Sequence, residues 1–163
     1  MSSEVHTSLS TGRRPVLDGK GLRIAIACGR FNDVITDRLL KGASRRLDEL
    51  GVSSGMIDEF WAPGAFELPL VAKTLARSDR YDAVITLGAV IRGGTPHFEY
   101  VAGECAAGVL RVGLDTEVPV VFGVLTTDTV EQAEERSVDG PGNKGAESAE
   151  TAVEMAQLLR SIR

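Results

Sequence analysis

The chain has 163 residues, is 43% hydrophobic and 25% charged, and carries a formal net charge of −5. That is long enough for one domain with its own core, and the balance is that of a globular protein. The acidic surplus argues against a nucleic-acid partner; no apolar run is long enough to span a bilayer, and the opening residues lack the apolar core of a secretion signal, so the expected location is cytoplasmic.

Residues 1–20 are polar and punctuated by Gly12, Pro15 and Gly19, which predicts a flexible N-terminal arm ahead of one domain over 21–163. Leu22 to Cys28 reads as a first strand. Ile35, Leu39, Ala43, Leu47 and Leu50 recur at helical spacing from Asp33 until Gly51 stops them. Ser54 to Trp61 is a second strand, and Pro63 and Gly64 turn the chain into a helix over Ala65 to Arg77. Ala83 to Ala89 is apolar at almost every position, as in a strand covered on both faces. A helix from Pro96 to about Val112 follows. Its Ala102, Gly103, Ala106, Ala107 and Gly108 suit close packing within the chain or against a second subunit equally well. Val118 to Leu125 is a fourth strand. Thr129 and Gln132 form a capping-box pattern that opens a short helix ending near Arg136. After a loop over Asp139 to Gly142, a last helix runs from Lys144 to Leu159. Strands alternating with helices predict a three-layer α/β/α domain with a four-stranded parallel sheet, flavodoxin-like in architecture.

Ligands of such sheets sit at the carboxyl ends of the strands. That rule gathers Phe31, Pro63 to Glu67, Ala89 to His97 and Phe122 to Asp128 on one rim. The richest stretch is GAVIRGGTPHFEYV, Gly88 to Val101. It predicts a strand, a glycine turn and a helix capped by Thr95 with Pro96 at its first position. Free N–H groups at such a helix start favour an anion, phosphate above all. His97, beside that turn, is the candidate proton-transfer group. Glu67 is either a dipole-stabilising carboxylate or a hydrogen-bond acceptor for a hydroxylated ligand. Phe31 and Phe122 are either core residues or rings that stack on a heterocycle. By themselves Arg92, Arg136 and Lys144 read as structural or solvated cations. The two cysteines, Cys28 and Cys105, read as buried free thiols, and with two histidines far apart no metal-ligand spacing appears.

Five stretches together resemble the lumazine synthase family of riboflavin biosynthesis: RFNDVITDRLLKGA, APGAFELP, GAVIRGGTPHFEYV, FGVLTTDTVEQAEER and GNKGAESAETAVEM. They span nearly all of Leu22 to Leu159. The resemblance implies condensation of 5-amino-6-(D-ribitylamino)uracil with 3,4-dihydroxy-2-butanone 4-phosphate, without metal or redox cofactor. It implies that Phe31 stacks on the pyrimidine, that Ala65, Phe66 and Glu67 follow the ribityl chain, and that Ala89, Val90 and Ile91 border the same substrate. Gly94 and Thr95 would hold the phosphate of the four-carbon substrate and His97 would shuttle protons. Phe122 and Arg136 would come from a neighbouring subunit, over the pyrimidine and onto the phosphate, with Lys144 a weaker member. The family forms homo-oligomers, cyclic pentamers that in some members close into icosahedral shells. The arm resembles the segment that family members lay against an adjacent subunit, so it is expected to add a strand there, and the resemblance also implies a functional link to riboflavin synthase. An inactive shell protein of the same fold is the alternative, and a receiver-type signalling module is disfavoured by strand tips reading CGRF and GAVIRGG.

Overall fold

The computed structural model describes residue 12 and residues 16–163. The remainder of the expected arm, and with it any strand it lends to a neighbour, lies outside the described residues. Of the arm's last residues, Gly19 donates to the Leu50 carbonyl at 2.7 Å, and Gln157 donates its side-chain amide to the Asp18 carbonyl at 2.6 Å.

Four parallel strands form one sheet: β1 (Ile24–Gly29), β2 (Ile57–Ala62), β3 (Ala83–Ile91) and β4 (Val120–Thr127), in the order β2-β1-β3-β4. Every residue of β1 is buried, as is every residue of β3 except Ile91, because both strands are sandwiched by helices. One face carries α1 (Asp33–Glu49), α4 (Val130–Ser137) and α5 (Lys144–Ile162); the other carries α2 (Leu68–Ala76) and α3 (His97–Thr116). The three-layer architecture expected from the alternation of elements is therefore present.

Local chemistry explains the seams. Thr129 caps α4 by accepting from the Gln132 N–H at 3.1 Å, while the Gln132 side chain accepts from the Asp128 N–H at 2.8 Å, a reciprocal arrangement close to the expected capping box. Buried Asn143 caps α5 through the Ala146 N–H and donates to the Ser137 carbonyl, tying α5 to the end of α4. At Gly145 a side chain would start 1.9 Å from the Leu39 carbonyl oxygen, so glycine alone lets α5 lie on α1 this closely.

Boundaries moved where local geometry overrode pattern. Ser54–Met56 and Ala65–Glu67 are short 3₁₀ turns leading into β2 and α2. α3 begins at His97, with Pro96 in the capping position and no side-chain capping bond, so Thr95 does not cap it. The proline ring holds φ at −70° and the Pro96 carbonyl accepts from Glu99, which starts the helix one residue later than expected. α3 then runs past Val112 to Thr116, and Glu117, left-handed at φ 58°, ends it.

Candidate functional site at the switch point

The strand order reverses between β1 and β3, where a doubly wound sheet opens its binding crevice. Pairing with β1 stops at Cys28–Leu87, whereas pairing with β4 continues to Ile91–Thr127. The end of β3 from Gly88 to Ile91 thus has no strand partner on its β1 side. The Arg92 N–H faces β4, donating to the Thr127 carbonyl at 2.8 Å. By strand alternation the N–H and C=O of Ile91 and of Ala89 face the crevice. One of these groups is already used: Asn32 donates its side-chain amide to the Ala89 carbonyl at 2.9 Å.

Phe31 lies at the tip of β1 with its N–H bonded to the Pro63 carbonyl at 3.0 Å and its residue surface 74% exposed. It is not core. Phe66 is likewise exposed. A methyl built on Gly64 would lie 3.5 Å from Glu67 Oε1 and 3.7 Å from Phe31 Cβ, so both side chains flank one glycine. Glu67 sits at the start of α2 without making a side-chain capping bond, which leaves its carboxylate for other partners. Ala65 is buried beneath them.

Across the crevice, Gly93, Gly94, Thr95, Pro96 and His97 are all exposed. Side chains built on Gly93 and Gly94 would meet nothing within 4 Å, so the turn's backbone is open to a ligand. His97 is the first residue of α3 and joins the helix start to that turn.

Phe122, Arg136 and Lys144 come together elsewhere. They line a groove of about 530 Å³ along β4 and α5, shared with Ser148 and Thr151 and with none of Phe31, Glu67, Gly94, Thr95 or His97. Phe122 is 39% exposed there, on the edge strand of the sheet. Arg136 donates to the Gln132 carbonyl at 2.9 Å, and Lys144 Nζ pairs with Glu147 at 2.7 Å. The expected residues therefore form two groups within one chain, a switch-point rim and a β4-edge groove.

Asn32 is a rim residue beyond those expected, and Arg92 is the structural cation its sequence position suggests. Asn32 adopts φ 62°, a left-handed conformation that asparagine tolerates better than most side chains, and that tolerance was its only local signal. Arg92 pairs with Asp128 at 2.8 Å and also with Glu99, and its guanidinium stacks 4.4 Å from the Phe98 ring centre. Both partners hold it firmly cationic. The thiols take no part: burial pushes Cys28 up to about 12, with Glu59 and Asp37 adding to it, and pushes Cys105 up to about 11.

Fold and site define a class, a doubly wound α/β protein with a small-molecule crevice at its switch point. A sequence model of the family described as 6,7-dimethyl-8-ribityllumazine synthase matches residues 21–160. The chain is also 55% identical over 148 residues to 6,7-dimethyl-8-ribityllumazine synthases from two strains of Thermus thermophilus, covering 91% of this chain and 94% of each relative. The chain belongs to the 6,7-dimethyl-8-ribityllumazine synthase family, transferases of riboflavin biosynthesis.

Proposed function

We propose that the switch-point rim is where this chain condenses 5-amino-6-(D-ribitylamino)uracil with 3,4-dihydroxy-2-butanone 4-phosphate. The observation that carries this reading is the open edge of β3 opposite the exposed Phe31. A pyrimidine offers alternating N–H and C=O groups that match the strand edge at Ala89 and Ile91, and a flat face that matches the Phe31 ring. Val90 and Ile91 border that substrate. Ala65, Phe66 and Glu67 follow its ribityl chain, with Glu67 accepting hydroxyl hydrogen bonds.

The turn at Gly94 and Thr95 receives the phosphate of the four-carbon substrate. Its open backbone lies next to the N-terminus of α3, where the helix dipole favours negative charge. The amine of the pyrimidine attacks the ketone carbon, and loss of water gives a Schiff base. Phosphate then leaves with the electrons of its C–O bond, and ring closure expels a second water. His97, one residue past Pro96, moves protons during these steps.

Phe122 and Arg136 act in a neighbouring subunit's site, Phe122 over the pyrimidine and Arg136 on the phosphate, with Lys144 a weaker contributor. Their separation into a second groove supports this division. So does α3, where Tyr100, Gly103, Ala107, Leu110 and Leu114 recur at alternating three- and four-residue spacing on an exposed stripe. Such a seam is completed by further copies of the same helix, as in a cyclic pentamer. Gly108 belongs to the opposite side, where a side chain would strike Pro69 at 2.7 Å. The test is direct: purified chain and both substrates yield the lumazine with stoichiometric phosphate. A folded, oligomeric protein that forms no product contradicts the reading and leaves the inactive shell protein in its place.

A further inference from the structure

Arg92 closes a clasp around the glycine turn. Its Nε binds Asp128 Oδ1 at the tip of β4 at 2.8 Å, one terminal nitrogen binds Glu99 in the first turn of α3, and its plane covers Phe98. Between Arg92 and Glu99 lie Gly93, Gly94, Thr95, Pro96 and His97, all exposed. Nothing packs against the two glycines, which are the most costly residues to order. The shape of the turn is therefore set at its ends. One guanidinium faces two carboxylates, so the cluster carries no net positive charge for a phosphate, and two of the donors of Arg92 are already committed. From this we infer that Arg92 is a positioning residue, which holds the Gly93–His97 turn ready for the four-carbon phosphate without binding it. The inference rests on the phosphate reading of that turn given above. A lysine does not replace Arg92, since an ammonium cannot fork between two carboxylates while lying flat on a ring.

Steady-state kinetics with each substrate varied in turn test it. Arg92→Gln is expected to raise KM for the butanone phosphate about tenfold, the scale of one lost charge-assisted contact, while KM for the pyrimidine stays within about twofold. Glu99→Gln opens the clasp from its other end with Arg92 in place and is expected to give the same selective rise. The double variant is expected to be no worse than the more impaired single one, as residues acting as a unit are not additive. Equal rises in both KM values would mark a merely structural role and overturn the inference. So would a lower butanone phosphate KM in Glu99→Gln, which would make Arg92 itself a phosphate ligand. Thr95→Val separates the two levels. If it raises the butanone phosphate KM and Arg92→Gln does not, the positioning role fails and the phosphate turn stands. If neither variant raises it, the phosphate turn fails and the inference falls with it.

Discussion

Asn32 donates its side-chain amide to the backbone carbonyl of Ala89 at 2.9 Å, across the gap where β1 has ended and β3 continues. This bond fixes the width of the crevice at the edge where the pyrimidine is proposed to bind. Replacing Asn32 by alanine removes the bond and places an ordinary side chain at φ 62°. The expected cost is about 1–3 kcal/mol, or roughly 2–10 °C in Tm for a domain of this size. KM for the pyrimidine is expected to rise more than KM for the butanone phosphate. Asn32→Gly restores the backbone freedom without the amide, so it recovers stability and not pyrimidine affinity. Thermal denaturation beside two-substrate kinetics reads both effects; full kinetic recovery in the glycine variant would remove Asn32 from the binding argument.

His97→Ala slows turnover and leaves activity that is readily measured. A positioned acid–base contributes about 10²- to 10⁴-fold, whereas holding two reactants together is worth about 7–11 kcal/mol. The substrate amine is already a nucleophile and phosphate is already a fair leaving group, so positioning dominates. A folded oligomeric variant whose rate matches the uncatalysed background would refute this ordering.

Arg136→Ala is expected to weaken the butanone phosphate by about 10- to 100-fold, the range for a lost charge-assisted hydrogen bond, with a much smaller effect on the pyrimidine. In the single chain this guanidinium donates to the Gln132 carbonyl at 2.9 Å and lies 3.8 Å from the Glu135 carboxylate. Mixing Arg136→Ala with His97→Ala chains then tests the shared site. Where neighbours complete each other's pockets, some hybrid sites regain both native residues and activity rises above that of either variant alone. No rise after subunit exchange has been verified by mass spectrometry would place both residues in one subunit's site.

What could be read in the sequence follows the physics of each signal. β1 and β3 are legible because a strand covered on both faces must be apolar throughout. The α4 start is legible because Thr129 and Gln132 act within a few residues of each other. The open edge of β3 is not legible, since it depends on β1 ending at Gly29 while β3 runs to Ile91. Nor is the exposure of Phe31, because a ring beside a strand looks the same whether it turns inward or outward. Arg92 reads as an ordinary cation until the fold brings in Asp128, distant in the chain. The grouping of Phe122 with Lys144 likewise needs β4 and α5 to be laid side by side.

The buried thiols set an alkaline limit on stability. Burial keeps Cys28 protonated up to about 12 and Cys105 up to about 11, whereas a cysteine in an unfolded chain titrates near pH ~8.5. Both folded values are raised. Below that unfolded value the thiols are neutral in both states and contribute no pH dependence. Above it the unfolded chain sheds protons that the folded chain keeps, so stability falls by up to about 1.4 kcal/mol per pH unit for each thiol until the folded values are passed. Cys28→Ala is therefore expected to flatten the loss of stability above about pH 9 in denaturant titrations, relative to the unsubstituted protein. At neutral pH a thiol reagent is expected to label neither cysteine of the native protein and both after denaturation, since both are fully buried. Rapid labelling of Cys28 in the native state would show that β1 opens locally, and the alkaline slope would then not be assigned to that thiol.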